Sequence, residues 1–283
     1  MAANNKLNLF DLALRALPLY EDPTGTARPL WRDLSKHNGY SDLAISRANG
    51  VAGIAARSGI SWGYADPLFS HNWIGAGLNG LYRTSYHVLY AGQPVIPQAD
   101  NWYTIHPWIE TIPRIIDLEV RTDGLDPWDY AQSTAELSDL ILSRDGVRPI
   151  IYSRYLLVNE WLSPYWDPDY LNDHYFILAQ YLWDRTREHP GPPTFPNGLR
   201  RERVILHQTA DKKAGYPGEV ESSAADYDRW EIGNRAEMDQ WIRETWGGVI
   251  DPPEPPPDHD HLLNLTQRQE ADKLYLEIEV THE

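Results

Sequence analysis

Cysteine is absent from the 283 residues, so neither a disulfide framework nor a thiolate metal site is open to this chain. Basic residues are scarce too: 25 Lys and Arg stand against 41 Asp and Glu, a formal net charge of −16. That balance argues against nucleic-acid binding, which needs a basic footprint. No apolar run approaches the roughly 18 residues of a membrane-crossing helix, so the chain is not expected to be transmembrane. The opening MAANNKLNLFDLALRALPLY has a single Lys, and Asp11 and Arg15 interrupt its apolar stretch. It lacks the form of a cleavable signal peptide. No Gly-rich phosphate loop is present, and no His pair has the H-E-x-x-H spacing, so neither a cofactor nor a metal is expected.

What remains is an ordinary globular composition, with 42% hydrophobic and 23% charged residues. The acidity is uneven: from Asp251 onward nine acids face two bases. Phe is rare, 4 residues against 17 Tyr and 12 Trp, a bias toward rings that offer sugars a flat apolar face and a polar edge.

Short apolar runs alternate with helical patterns from about residue 30 to residue 247. The runs PLWRDLS, GVAGIAARS, YRTSYHVLY, IPRIIDLEV, VRPIIYS, YFILAQY and RVILHQT read as strands. Between the fourth and fifth, DPWDYAQSTAELSDLILSRDG reads as a helix, with Asp126 as cap, Pro127 at the first position and Leu137, Leu140 and Ile141 at helical spacing. Strand–helix alternation implies a parallel sheet, and seven or eight strands in roughly 220 residues suit a barrel.

Three flanking segments are expected around that barrel at 30–249: an N-terminal extension, 1–29, a Pro-rich linker, 250–261, and a C-terminal tail, 262–283. In the tail, Thr266 and Gln269 have capping-box spacing, and Ala271, Leu274 and Ile278 share a helical face. The tail therefore reads as one amphipathic helix that needs another protein chain, a second copy or a virion component.

IPRIIDLEV ends in two acids, Asp117 and Glu119, where a buried strand should be finishing. In a parallel barrel the C-terminal strand ends carry the chemistry. Residues i and i+2 face one side about 6.5–7 Å apart, within reach of the roughly 5–9 Å that separates glycosidase carboxyls. Two acids so close, partly desolvated, raise one pKa and keep one proton near neutrality. Taken alone, D-x-E is more simply a solvated strand end. Asp33 after the first strand, Tyr86-His87 in the third, and Asp226 and Asp228 near the end of the barrel add to it.

In this order the motifs resemble those of the glycoside hydrolase family 25 lysozymes, the Chalaropsis-type muramidases. D-x-S…G is matched by Asp33, Ser35 and Gly39, D-x-x-F by Asp66 to Phe69, and Y-H-F by Tyr86-His87-Val88. D-x-E falls on Asp117-Leu118-Glu119, and three later segments fall on Ile151-Tyr152-Ser153, Ala179-Gln180-Tyr181 and His207-Gln208. The closing motif is Asp226-Tyr227-Asp228-Arg229-Trp230. The chain departs from the family at Ala55-Ala56-Arg57-Ser58, where many members carry a Lys-containing segment, at His207 before the Gln, and at Val88.

The resemblance implies an irregular TIM-like (β/α) barrel with some β-only connections late in the chain. It implies hydrolysis of the β-1,4 bond between N-acetylmuramic acid and N-acetylglucosamine in peptidoglycan. Glu119 would be the general acid/base and Asp117 would stabilise the oxocarbenium-like transition state, directly or through the substrate's acetamido group. Asp33 and Asp226 would support them, with Tyr86, His87, Tyr152, Tyr181, Gln208 and Asp228 binding substrate. A phage endolysin, or a lysin released to act on the wall, is the expected setting. The alternatives are a chitinase-like glycosidase, disfavoured because Ile115 stands where that group carries a further Asp, and a virion structural or sugar-binding module on a lysozyme scaffold.

Overall fold

A computed structural model describes residues 28–107, 112–120 and 124–247, and the backbone of 263–270 and 273–280. The N-terminal extension up to residue 27 and the linker at 251–261 lie outside the described residues.

Nine strands follow in chain order: β1 (Leu30–Leu34), β2 (Val51–Ile60), β3 (Tyr64–Ala65), β4 (Tyr82–Val88), β5 (Ile115–Leu118), β6 (Ile150–Arg154), β7 (Phe176–Ala179), β8 (Val204–Lys213) and β9 (Ala225–Trp230). They are ordered β1-β9-β8-β7-β6-β5-β4-β2-β3, and β1 also pairs with β2, so eight strands close on themselves and β3 is an appended hairpin. Pairing is parallel from β1 through β2 and from β4 to β8. β9 runs antiparallel to both neighbours. The expected irregularity is late in the chain: β8 leads to β9 without a helix, and the described link from β7 to β8 holds only the short 3-10 turn Arg201–Arg203.

The burial of the strands explains their composition. β5 is buried along its whole length, as a strand must be with a barrel interior on one face and helices on the other. Inside, Trp31 of β1 stacks on Tyr82 of β4 and on Trp230 of β9, with ring centroids 6.2 and 6.5 Å apart. Gly53 of β2 makes room for it, since a Cβ there would lie 2.6 Å from the indole. This aromatic layer makes the barrel a packed core rather than a pore.

The helix Pro127–Asp145 begins as its sequence demands, with the Asp126 side chain accepting from the Asp129 amide at 2.9 Å. It ends at Gly146, whose φ of 75° suits a residue without a Cβ. Leu137 and Ile141 are fully buried and Leu140 packs at the edge of the same core. The helix Arg235–Trp246 opens on an Asn234/Glu237 capping box and buries Met238 and Ile242, one turn apart, with the Met238 sulfur 3.4 Å from Trp31 Nε1.

The C-terminal segment corrects an expectation. Asp251–Glu283 separates as a unit of its own, and its described residues form not a helix but an antiparallel hairpin of β10 (Leu263–Glu270) and β11 (Lys273–Val280). The sequence reason is periodicity: Leu274, Leu276, Ile278 and Val280 alternate strictly, a period of two. A helical stripe through Ala271, Leu274 and Ile278 shares only Leu274 and Ile278 with that alternation.

Candidate active site

The C-terminal ends of the parallel strands and the start of antiparallel β9 meet at one end of the barrel. Register brings Val88 beside Asp117, and Asp117 beside Tyr152. On the other side it places Ala179 beside Gln208, Gln208 beside Asp228, and Asp228 beside Trp31. The result is a cavity of about 280 Å³ above the aromatic layer, lined by Asp33, Asp117, Glu119, Asp226 and Asp228 with Tyr86, Tyr152, Tyr181 and Gln208. A second lobe of about 640 Å³ adjoins it past Glu119, bounded by Arg154, Tyr155, Leu156, Gln180 and Tyr181.

His87 is the expected cleft residue that is not there. It is fully buried on the other face of β4, stacked on Trp102 at 5.2 Å, with Nε2 2.7 Å from the Ser61 carbonyl and Nδ1 3.2 Å from Ser58 Oγ. Neighbours on a strand point to opposite faces, so Tyr86 and His87 cannot both line the interior. Burial pushes the imidazole down to about 4, which leaves it neutral and structural.

A hydrogen-bonded chain ties the cleft residues together. Gln208 Nε2 donates to Asp33 Oδ2 at 2.8 Å, while its Oε1 accepts from the Tyr181 hydroxyl at 2.6 Å. The Tyr152 hydroxyl lies 2.9 Å from the same Oε1 and 3.0 Å from Glu119 Oε1. A phenol has one proton to give. With Tyr181 serving Gln208, that of Tyr152 is available to Glu119. Burial, and next the Glu119 charge, hold the Tyr152 hydroxyl well above its ordinary value, so it stays a donor.

The carboxyls are set apart by their surroundings. Asp117 is 5% exposed, and burial, followed by the charges of Glu119 and Asp33, pushes it well above the usual carboxylate range. Its Oδ1 has no hydrogen-bond partner. Glu119, just past the end of β5, is exposed. Burial raises Asp33 to about 6, with Glu119 adding to the shift and hydrogen bonds from Asp226, Gln208 and Asp228 opposing it. Asp226 is pushed up to about 10 and Asp228 well above its ordinary value, in each case first by burial and then by Asp33. The site therefore retains protons at neutral pH on Asp117, Asp226 and Asp228, while Asp33, held near 6, carries the floor's negative charge.

The profile of the glycosyl hydrolases family 25 matches residues 32–208, more than half of the chain. The chain belongs to this family. Among solved structures it is similar to a lysozyme from Streptomyces coelicolor, with 18% identity and a TM-score of 0.65 over 79% of this chain and 100% of that one. A muramidase from Acremonium alcalophilum gives 18% identity and a TM-score of 0.63 over 77% and 100%. The catalytic domain of an endolysin from a bacteriophage of Listeria monocytogenes gives 15% and 0.58 over 76% and 97%. At these identities the likeness establishes the fold. No curated protein sequence matches the chain.

This family 25 glycoside hydrolase also lines its cleft with groups that motif reading passed over. Arg57, in the segment that departs from the family, binds Asp66 through Nε at 2.7 Å. Arg185 binds Asp211 through Nε at 2.6 Å, and both residues face the cavity. Arg154 lines both lobes. The signal for two of the three was parity: Arg57 lies two residues past Ala55, and Arg154 two past Tyr152, on inward-facing positions. Arg32 is a different kind of omission. Its guanidinium grips Glu219 at 2.8 and 3.0 Å, lies 3.9 Å over the Tyr227 ring, and donates to the Asp226 carbonyl at 2.9 Å, anchoring the start of β9.

Proposed function

We propose that the cleft cleaves the β-1,4 bond between N-acetylmuramic acid and N-acetylglucosamine in peptidoglycan, with Glu119 as general acid/base. The observation that carries this reading is the division of the Asp117–Glu119 pair, one carboxyl buried and one at the cleft surface, inside a family 25 barrel. The two groups share a face two residues apart, and burial holds Asp117 well above the usual carboxylate range. In the productive form Glu119 carries a proton, gives it to the departing glycosidic oxygen and recovers it from the water that completes the reaction. The Tyr152 hydroxyl orients the Glu119 carboxyl throughout. Asp117, ionised, faces the positive charge that grows at the sugar's anomeric carbon, and its unpartnered Oδ1 is free to accept from the acetamido N–H or to meet that carbon directly. Asp33 supplies negative potential beneath, with Asp226 and Asp228 hydrogen-bonded to it, while Tyr86, Tyr181 and Gln208 bind sugar. Both acids of the D-x-E face the cleft, which leaves a non-catalytic scaffold without support.

The setting we propose is a phage lysin acting on the bacterial wall, supported by the likeness to a phage endolysin domain. Among the described residues no helix is long and apolar enough to cross a membrane. We also propose that residues 263–280 pair with another protein chain, because an isolated two-stranded hairpin is marginal in water. Truncation after Ile250 is expected to leave hydrolysis of soluble muropeptides intact while lowering the number of copies per particle seen by light scattering; an unchanged copy number removes this partner.

The test of the reaction is digestion of purified peptidoglycan and mass spectrometry of the new reducing ends. Muramic acid at those ends is expected; glucosamine would replace this reading with another glycosidase.

A further inference from the structure

Three guanidinium groups line the cleft, and they are not equivalent. Arg57 is held by Asp66 and Arg185 by Asp211. Arg154 has no ion pair among the described residues, although it stands in a cavity rich in acids. It projects from the end of β6, exposed, where the deep cavity and the larger lobe meet beside Glu119. An unpaired guanidinium at such a junction presents five donors in a planar fork suited to a carboxylate.

The cleft floor offers an anion no free cation: it is built of the carboxyls Asp33, Asp117, Asp226 and Asp228, and Arg57 and Arg185 are already held by Asp66 and Asp211. A muramyl unit nevertheless brings an anion with it. Its lactyl ether ends in a carboxylate when bare, and in a stem peptide carrying carboxylates when substituted. Such a substrate needs a compensating cation that no carboxylate already holds in an ion pair. The larger lobe offers that cation together with Tyr155, Leu156 and Gln180, an apolar and amide wall fitted to a peptide or lactyl branch.

We infer that Arg154 is the specificity-determining residue that receives the carboxylate borne by the muramyl sugar, with the branch seated in the lobe behind it. The inference rests on the muramidase reading and deepens it. It distinguishes the two sugars of the polymer: glucosamine units carry no carboxylate and draw nothing from Arg154.

The test compares kcat/KM of the full chain on three soluble glycans: one bearing stem peptides, one stripped by an amidase so that free lactyl carboxylates remain, and the stripped glycan with those carboxylates capped as methylamides. Wild-type protein is expected to prefer at least one charged form over the capped form by about ten-fold or more, the worth of a charge-assisted hydrogen bond. Preference for the stripped form assigns the lactyl carboxylate, and preference confined to the peptide-bearing form assigns the stem. In Arg154→Gln the ratio is expected to fall to near one; a general loss of turnover through the Asp117 charge would lower the rates on all three substrates alike and leave the ratio standing. A wild-type ratio near one, or a ratio that survives the substitution, overturns the inference. A wild-type protein that cuts none of the three overturns the muramidase reading and this inference together.

Discussion

Two pairs of acids in this barrel have the same spacing and opposite fates. Asp117 and Glu119 sit where parallel β5 leaves the barrel, so the second acid of the pair reaches the cleft surface. Asp226 and Asp228 sit where antiparallel β9 enters it, so the second acid runs down toward Trp31 and is only 4% exposed. Strand direction alone makes one pair a bridge between interior and substrate, and the other a buried pair that keeps its protons. A proton donor must exchange with substrate and water, and only the β5 pair has a member placed to do so. The β9 pair instead holds its protons tightly, because burial and Asp33 oppose ionisation.

The comparison breaks most visibly at Glu119. Glu119→Gln keeps the shape and removes the transferable proton, so hydrolysis of peptidoglycan should fall by about 10²–10⁴-fold. Because the side chain is exposed, the melting temperature should stay within the effect of an ordinary surface substitution, about 0.5 kcal/mol. Retention of most activity would take the role away from this acid. Tyr152→Phe sharpens the same side. It removes one hydrogen bond to a charged acceptor, and kcat should drop by about ten-fold without loss of the fold.

On the other side, Asp226→Asn should show itself in stability. A carboxyl whose folded pKa is raised gives stability that is fully present below its unfolded value near 4 and is lost as pH rises through the folded value. For Asp226 that window runs from about 4 to about 10, and for Asp33 from about 4 to about 6. The asparagine variant should therefore match wild type at pH 4 and melt higher at pH 8, by on the order of 5 °C. Equal melting temperatures at pH 8 would mean that Asp226 is solvated rather than buried among acids.

Much of this barrel is legible in the sequence because parallel strands are covered on both faces. Seven short apolar runs, from PLWRDLS to RVILHQT, carry that signal and fall on β1, β2 and β4 to β8. β9 is harder to see: its alternate residues are Asp226 and Asp228, so the inward face that marks a strand by its apolar residues is here acidic. The acids of the site were readable as strand-end positions. Their depth was not, since burial depends on whether a strand enters or leaves the barrel. His87 was misplaced although alternation along β4 excluded it, because a motif was read as a unit where a strand separates its members. The arginines were hidden for another reason: which acid meets Arg57 or Arg185 depends on how the chain turns back, over nine residues to Asp66 and over 26 to Asp211 on β8. In the tail, the helical stripe shares Leu274 and Ile278 with a stricter alternation, and the backbone follows the alternation.

The most direct measurement is a carboxyl titration of the unliganded protein by NMR, with side-chain carboxyl carbons labelled and Asp117 and Asp226 assigned through their asparagine variants. Both are expected to remain protonated at pH 7, with Asp226 titrating near 10 and Asp117 well above the ordinary range. Midpoints near 4 for both would contradict the proton-retaining cleft, and with it the division of labour between the two acid pairs.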